Sequence, residues 1–203
     1  MSTTLQPDPS WLQVDPEFYR HGGHSFGPGE MLALAEAKGE RALVYPASGG
    51  EEALSLANLG ATVSVFDSPE NSARARALAE QAGIAVTFLE GVPGSPEIPG
   101  GPYDTVYSSF GLLSALEFFD DWAGGIAGAL KTGGRLVIHD VHPAAYVPGV
   151  RKGVFAVAHS YFDDEEDGGG PGWTMGDLIS ALGMAGMPTI YLEEMPDSER
   201  YQT

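Results

Sequence analysis

The sequence predicts an α/β fold, a doubly wound and mostly parallel sheet with helices on both faces. Short apolar runs, typical of buried parallel strands, alternate with longer segments whose apolar residues recur at helical spacing. The first such unit, from Arg41 to Asp67, reads as strand, small-residue turn, helix and strand, and it ends on an acidic residue. At 203 residues the chain has the length of one domain with its own core, so we expect a single domain over residues 1–203.

Each element of this first unit has its own signal. Arg41–Tyr45 is a short apolar run that predicts a buried strand, and the small residues of Pro46–Gly50 turn the chain. Apolar residues at helical spacing predict a helix over Glu51–Leu59. Alternating β-branched and aromatic residues predict a strand over Ala61–Phe66, with Asp67 just past its carboxyl end. Ligands of open α/β sheets bind at this edge, where an acid commonly binds a ribose hydroxyl pair.

Two helices are predicted before this unit, within residues 1–40. One is short and begins near Pro16, and the other is amphipathic, runs from Pro28 to Lys38 and is ended by Gly39.

The same alternation continues after Asp67. Ser68 is a candidate helix cap, and Pro69 at the first helical position opens a helix through Gln81. The further predicted elements are strands over Ala85–Leu89, Tyr103–Ser109 and Thr189–Glu193, a strand after the Gly-Gly turn of LKTGGRLVIHD, helices over Phe118–Leu130 and Thr174–Gly183, and an extended lid segment over Val154–Tyr161. The polar tail after the last strand offers no apolar run for a further antiparallel strand.

The composition excludes several classes of function. The 28 acidic side chains against 10 Lys and Arg give a formal net charge of −18, which repels phosphate backbones and anionic membranes. With no cysteine the chain has no disulfide and no thiolate site. No amino-terminal apolar leader and no run of roughly 20 apolar residues is found, so we expect an acidic, cytoplasmic protein.

Several segments resemble the motifs of class I S-adenosylmethionine-dependent methyltransferases. RALVYPASGGEEALSLANLGATVSVFD is similar to motifs I and II, YDTVYSSFGLLSAL resembles motif IV, and LKTGGRLVIHD resembles the segment that follows the motifs. The order of elements from about Asp15 to Glu194 agrees with that family. The resemblance implies a Rossmann-like fold and S-adenosylmethionine as the cofactor. It also implies a helical cap over residues 1–40, a cofactor-binding core over residues 41–140, and an acceptor or lid region with the last helix and strand over residues 141–203.

The chain departs from the family pattern in its turn. The family carries Asp/Glu-x-Gly-x-Gly-x-Gly there, and Gly50 matches the third glycine while Asp67 matches the acid after the second strand. The acid of the turn falls on Val44, the first glycine on Pro46 and the second on Ser48. Pro46 removes a main-chain donor. The pattern therefore leaves open whether cofactor binding is retained, weakened or lost.

The resemblance also implies a set of site residues. Cofactor contacts are expected at Tyr45, Ala47, Ser48, Gly50, Asp67, Ser68, Gly91, Val92 and Ser108, although many members have an aspartate where this chain has Val92. His142 and Tyr161 lie in segments similar to those that line the acceptor pocket, and they are the candidate catalytic residues. A neutral histidine can act as general base for an acceptor hydroxyl, but His142 can equally be a structural histidine.

His139 and His142, with Asp140 between them, suggest a metal site, because imidazole and carboxylate ligands suit zinc or iron. No third ligand stands at motif spacing, and residues at i and i+3 near a strand end need not point together. We therefore predict no metal.

Three functions remain open. The first is methyl transfer to a small-molecule acceptor, apolar or aromatic in view of the chain's aromatic residues. The second is a methyltransferase fold that transfers no methyl group and serves as a binding or regulatory protein, or as a repurposed cyclase or isomerase. The third, a nicotinamide dehydrogenase, lacks its full glycine fingerprint. Because the last antiparallel strand is expected to be missing, a partner could cover the sheet edge, for example in a homodimer.

Overall fold

The computed structural model describes residues 14–92, 94–108, 110–116, 118–151, 154–157, 159–162 and 172–195. Its main sheet has five parallel strands, β1 (Arg41–Val44), β2 (Thr62–Asp67), β3 (Thr87–Glu90), β4 (Tyr103–Ser108) and β5 (Leu130–Ile138). Six α-helices are described, α1 (Pro16–Arg20), α2 (Pro28–Leu34), α3 (Glu51–Asn58), α4 (Pro69–Ala82), α5 (Phe119–Ala129) and α6 (Met175–Met184). Two 3₁₀ turns cover Leu113–Ala115 and Pro143–Tyr146.

The strand order is β3-β2-β1-β4-β5, so the direction in which the sheet grows reverses at β1. The chain builds outward from β1 to β3 on one side and then returns to place β4 on the other side of β1. Such a reversal opens a crevice at the carboxyl ends of the two central strands, where ligands of open α/β sheets bind. The predicted fold class, a doubly wound parallel sheet, is confirmed.

Helices cover both faces of the sheet and produce two apolar cores. Within β1 the side chains of Ala42 and Val44 enter one core, and those of Leu43 and Tyr45 at its end enter the other. Helices α2, α3 and α4 pack on the first face, and α5 and α6 pack on the second. This explains why the strand sequences are apolar throughout rather than alternating.

The caps of two helices agree with their sequence signals. The Ser68 hydroxyl accepts a hydrogen bond from Asn71 N at the start of α4, and the Thr174 hydroxyl accepts one from Asp177 N at the start of α6. Gly83 ends α4 in the left-handed conformation, with φ of 70°. The sequence predicts these helix ends because each cap depends on residues that are close in sequence.

Helix α2 is shorter than predicted. It ends at Leu34 instead of Lys38, and the chain then bends so that Gly39 N donates to Gly60 O at 2.9 Å. Thr62 N donates to Glu40 O at 2.8 Å in the same region. These bonds bring the start of β1 beside β2, and a continued helix could not make them.

The predicted strand over Thr189–Glu193 is wrong. The segment is described but forms no ladder with another described strand, and Ile190 is 93% exposed. A strand requires a neighbour for its main-chain groups. The residues have high β propensity, but that propensity does not supply a pairing partner.

The segment predicted as a lid contains a two-stranded antiparallel hairpin, β6 (Pro148–Arg151) with β7 (Val154–Val157). The extended segment predicted to start at Val154 therefore begins as a strand, and its partner β6 was not predicted. No helix in the described part of the chain is long and apolar enough to cross a membrane.

Candidate functional site

The turn after β1 has the tight geometry that its small residues predict. Ser48 has φ of 45° and Gly50 has φ of 98°, so both lie in the left-handed region. A Cβ atom on Gly50 would lie 2.7 Å from Ala75 Cα of α4. Position 50 therefore requires glycine both for its conformation and for the close approach of α4.

The carboxylate of Asp67 fixes this turn from the end of β2. Its Oδ2 accepts a hydrogen bond from Ala47 N at 2.9 Å, and its Oδ1 accepts from Ser68 N at 2.7 Å and from the Asn71 side chain at 2.9 Å. Asp67 is the last residue of β2 and is only 1% exposed. A ribose hydroxyl could reach it only by replacing or sharing one of these partners.

An aromatic pair forms the wall on the α5 side of the sheet. The rings of Tyr45 and Phe66 stack with centroids 5.4 Å apart, and the Tyr45 hydroxyl accepts a hydrogen bond from Gly94 N. Burial raises the pKa of Tyr45 to about 12. A Cβ atom on Gly91 would lie 2.1 Å from the Phe66 ring. The ends of β1 and β2 and the loop after β3 are therefore in contact through this aromatic pair.

Next to this wall lies a cavity of about 640 Å³ between α5 and the loop after β3. Its lining includes Phe66, Gly91, Val92 and Gly125. Gly91 N donates to Asp67 O at 3.1 Å, so this loop and the end of β2 are neighbours. The cavity reaches the predicted contacts Gly91 and Val92, but Asp67 does not line it.

Ser108 ends β4 beside the end of β5. It is fully buried, and in the described part of the chain its hydroxyl has no hydrogen-bond partner. Its carbonyl accepts a hydrogen bond from His139 N at 3.0 Å. A buried hydroxyl without a partner is uncommon in proteins, and here it lies where the resemblance places the methyl donor.

The structure brings the two candidate catalytic residues together and gives each a local partner. The rings of His142 and Tyr161 stack 6.5 Å apart. His142 Nδ1 accepts from Ala144 N at 3.1 Å, and its Nε2 lies 2.6 Å from Glu194 Oε1. The Tyr161 hydroxyl accepts from Met175 N at 3.0 Å. With both ring nitrogens engaged, His142 caps a 3₁₀ turn, and its catalytic role stays a prediction.

Glu30, Tyr107 and His139 form a second polar cluster, which was not predicted from the sequence. The Tyr107 hydroxyl donates to Glu30 Oε1, and His139 Nδ1 lies 3.2 Å from the same oxygen. This last contact has the distance of an ion pair but not the alignment of a hydrogen bond. Gly27 N donates to Glu30 Oε2 at 2.8 Å, so the Glu30 carboxylate satisfies the main-chain N–H that precedes α2.

The surroundings of Glu30 favour its charged form. Burial alone would raise the pKa of this carboxyl, but the contacts with His139, with the Tyr107 hydroxyl and with Gly27 N together lower the pKa below its usual value of 4.5. The Glu30 side chain is 11% exposed, so an ionised carboxylate lies in a largely dry place. Buried carboxylates held in this way are frequent at functional sites.

The sequence held only part of the signal for this cluster. His139 directly follows β5 and Tyr107 lies near the end of β4, so both occupy the strand ends where ligands bind. Glu30 reads as an ordinary residue of the first turn of an amphipathic helix. Its contact with His139 spans 109 positions of the chain (139 − 30), which no local pattern can indicate. In the described part of the chain no group of three or more His, Asp or Glu side chains is arranged to hold a metal.

The fold is shared with solved methyltransferases. An S-adenosylmethionine-dependent methyltransferase from Mesorhizobium loti superposes with a TM-score of 0.61 at 24% identity, over 79% of this chain and 81% of the other. A TehB-like S-adenosylmethionine-dependent methyltransferase from Corynebacterium glutamicum gives a TM-score of 0.54 at 16% identity, over 87% of this chain and 80% of the other. No protein-family profile and no curated protein matches the sequence.

At these identities the likeness establishes the fold. The chain has the class I methyltransferase fold, with a five-stranded parallel sheet in its described part and helices on both faces.

Proposed function

We propose that this protein transfers a methyl group from S-adenosylmethionine to a small-molecule acceptor. The observation that carries the proposal is the contact of Ala47 N with Asp67 Oδ2 at 2.9 Å. It places an acid at the end of β2 against the turn after β1, at the reversal point of a methyltransferase fold.

The residues present fit the cofactor in their chemistry. Asp67 supplies a carboxylate for the ribose, and the half-buried Ser48 and Gly49 bring the turn to the surface beside it. The buried Ser108 hydroxyl, without a partner in the described residues, offers a polar contact at the end of β4. Glu51 and Glu52 in the first turn of α3 add negative charge near a cofactor whose sulfonium is positive. Binding requires that Asp67 exchange at least one present partner.

The cofactor supplies a methyl group already activated on a sulfonium, so the protein's task is mainly to bind and align. The turn and Asp67 would hold the nucleoside end, and Tyr45, Ser68, Gly91 and Val92 would lie around it at the strand ends and in the loop after β3. Holding an acceptor in line with the methyl carbon supplies much of the rate in such reactions.

An aromatic acceptor suits the surroundings of the strand ends. Phe26 packs on Tyr107 with centroids 5.4 Å apart, and Phe110 lies 4.5 Å from the His139 ring. Aromatic walls of this kind bind flat apolar rings with little loss of side-chain entropy. His142 and Tyr161, stacked on one another in the lid, are proposed to approach the acceptor from the other side.

The proposal extends to partners and location. The net charge of −18 supports a protein that binds neither nucleic acid nor anionic membrane, and the absence of cysteine is compatible with the cytoplasm. A homodimer is supported by the exposed apolar side chains of the carboxyl-terminal segment, Ile190, Tyr191, Leu192 and Met195.

One observation favours a second candidate, a methyltransferase fold that transfers no methyl group. Asp67 is 1% exposed and already accepts three hydrogen bonds from the protein. Pro46 offers no main-chain donor. If these contacts persist in solution, the ribose site is closed, and the protein is a binding or regulatory protein or a repurposed cyclase or isomerase.

The two candidates are separated by a methyl-transfer assay with labelled S-adenosylmethionine and a panel of phenols and other small aromatic acceptors. Transfer above a heat-denatured control supports the first candidate. Absence of transfer together with absence of cofactor binding supports the second. Asp67→Ala serves as the matched site variant, and Glu70→Ala, which removes an exposed acid from the first turn of α4, serves as its control.

A further inference from the structure

The cluster of Glu30, Tyr107 and His139 takes no part in holding the cofactor as proposed above. We propose that Glu30 and His139 form an acid–base pair that removes the proton from a hydroxyl group of the acceptor. The inference rests on the proposed methyl transfer and deepens it, because it names the acceptor class and assigns the base to His139 rather than to His142.

The position of His139 is fixed by the sheet. Its main-chain nitrogen donates to Ser108 O at 3.0 Å, which continues the pairing of β4 with β5 by one residue. Tyr107 pairs in register with Val44 of β1, the strand that precedes the cofactor turn. His139 therefore lies at the carboxyl edge of the strands that carry the proposed cofactor site, the edge where the ligand of such a sheet reacts.

Glu30 sets the tautomer of His139. The carboxylate oxygen lies 3.2 Å from Nδ1, so the field of an ionised Glu30 favours the proton on this nitrogen. The lone pair is then on Nε2. Glu30 itself is held by Gly27 N and the Tyr107 hydroxyl, which leaves it little freedom to turn away.

The second ring nitrogen is open to a ligand. The His139 side chain is 16% exposed, and of its two nitrogens Nδ1 is the one that is fully buried among the described residues. The Phe110 ring lies against the imidazole, tilted by 52°. In the described part of the chain Glu30 from α2 faces Nδ1 of the ring, and the Tyr107 hydroxyl is bonded to Glu30. The neighbouring Asp140 accepts from Gly111 N and Leu113 N and is turned to the loop after β4.

By contrast, both ring nitrogens of His142 already contact other groups of the protein. Its Nδ1 accepts from Ala144 N, and its Nε2 contacts Glu194, which places the proton on Nε2. A base needs an unprotonated nitrogen, and with the tautomers inferred from these contacts His139 rather than His142 has one that is not engaged by a carboxylate or a main-chain N–H.

Among common acceptor groups, a hydroxyl is the one that needs a general base such as His139. A neutral amine attacks with a lone pair that it already has, and a thiol with a pKa of about 8.5 ionises readily near neutral pH. A phenolic hydroxyl has a pKa of about 10, so general-base assistance is effective for it. In the proposed step the acceptor O–H bond breaks and the proton goes to Nε2 of His139. The oxygen keeps the electron pair and bonds to the methyl carbon, while the carbon–sulfur bond breaks and leaves its pair on sulfur.

The first test requires no acceptor. Long-range proton–nitrogen NMR of the histidine rings, assigned with His139→Gln, reports the tautomer of His139 in the full chain. We expect the proton on Nδ1 in the wild type and a shift toward the Nε2–H form in Glu30→Gln. An Nε2–H tautomer in the folded wild type, or no change in folded Glu30→Gln, contradicts the pairing.

The second test is kinetic. With a phenolic acceptor, His139→Gln is expected to lower kcat by about 10²–10⁴-fold and to abolish the acidic limb of the pH profile of kcat/KM. Calorimetric affinity for S-adenosylhomocysteine should stay within about twofold, since His139 does not hold the cofactor in this proposal. The control is His21→Gln, a histidine with a 76% exposed side chain, which should match the wild type in every readout.

The outcomes separate this inference from the function on which it rests. If the wild type binds no S-adenosylmethionine, the proposed function fails. If it binds cofactor and transfers methyl groups, but His139→Gln keeps its rate within about threefold and retains the pH profile, the acid–base pair is wrong and methyl transfer stands. Transfer to amines or thiols with none to hydroxyl compounds contradicts the acceptor class.

Discussion

The Oδ2 atom of Asp67 lies 2.9 Å from the main-chain nitrogen of Ala47 and accepts its hydrogen bond. The end of β2 therefore holds the turn that follows β1, and the same carboxylate holds the start of α4 through Ser68 N and the Asn71 side chain. One buried acid thus organises the turn and the helix around the proposed ribose site. Because the same carboxylate holds the fold and is proposed to bind the ribose, both the stability of the protein and its affinity for the cofactor should respond to replacement of Asp67.

Replacing Asp67 by asparagine should lower both quantities. The amide group keeps the shape but loses the charge and one acceptor oxygen, so we expect a loss of about 1–3 kcal/mol in the free energy of unfolding. Affinity for S-adenosylmethionine should fall by a similar amount, about 1–3 kcal/mol, if the acid binds the ribose. Urea unfolding and calorimetry measure the two, with Glu70→Gln as control. Reduced stability with unchanged affinity would contradict the placement of the ribose.

Replacing Gly50 by alanine should destabilise the protein through two effects. A non-glycine residue at φ of 98° is strained, and the added Cβ would lie 2.7 Å from Ala75 Cα. Gly39→Ala is a matched control, because its φ is 82° but nothing lies within 4 Å of the added atom. We expect about 1–2 kcal/mol for the control from strain alone, and an additional 1–3 kcal/mol or so for Gly50→Ala from overpacking. Equal losses by urea unfolding would show that α4 does not press on the turn.

Replacing Gly91 by alanine should disturb the aromatic wall. Its Cβ would lie 2.1 Å from the ring of Phe66, which stacks on the buried Tyr45. Overpacking of this kind costs about 1–3 kcal/mol in the free energy of unfolding. The double variant Gly91→Ala with Phe66→Leu should recover part of the loss relative to the sum of the single variants. Strict additivity in urea unfolding would count against this contact.

The contribution of Glu30 to stability should depend on pH. Its contacts lower its pKa in the folded protein below the usual 4.5, so the stability it provides is present above that value and is lost as pH falls through the lowered pKa. At pH 7 Glu30→Gln should be less stable than the wild type by about 1–3 kcal/mol. The difference should shrink when unfolding is measured at pH values under 4.5. A difference independent of pH would mean that the charge of Glu30 contributes nothing.

The sequence was informative wherever structure is local. The strand, turn, helix and strand around Asp67 follow from short-range periodicity and small residues, and so do the caps at Ser68 and Thr174. The predictions were wrong where the structure of a segment depends on a partner that is distant in sequence. Helix α2 ends at Leu34 because Gly39 pairs with Gly60, and the segment after Thr189 is no strand because no described strand lies beside it.

The candidate site divides in the same way. The acid after β2 and the glycine of the turn are marked by their place in the sequence. The sequence does not indicate that hydrogen bonds from the protein already occupy the Asp67 carboxylate. One of the donors, Ala47 N, lies 20 positions away and reaches Asp67 only through the tertiary fold. The contact of Glu30 with His139 depends on how helix α2 packs against the ends of β4 and β5, which the sequence of neither segment indicates alone.

The central claim is that the altered turn and Asp67 still bind the cofactor. Calorimetric titration of the purified protein with S-adenosylmethionine and S-adenosylhomocysteine tests it most directly. We expect binding of both in the micromolar range, corresponding to about 8 kcal/mol. Absence of binding at millimolar ligand would contradict the account and would identify the chain as a methyltransferase fold with another use.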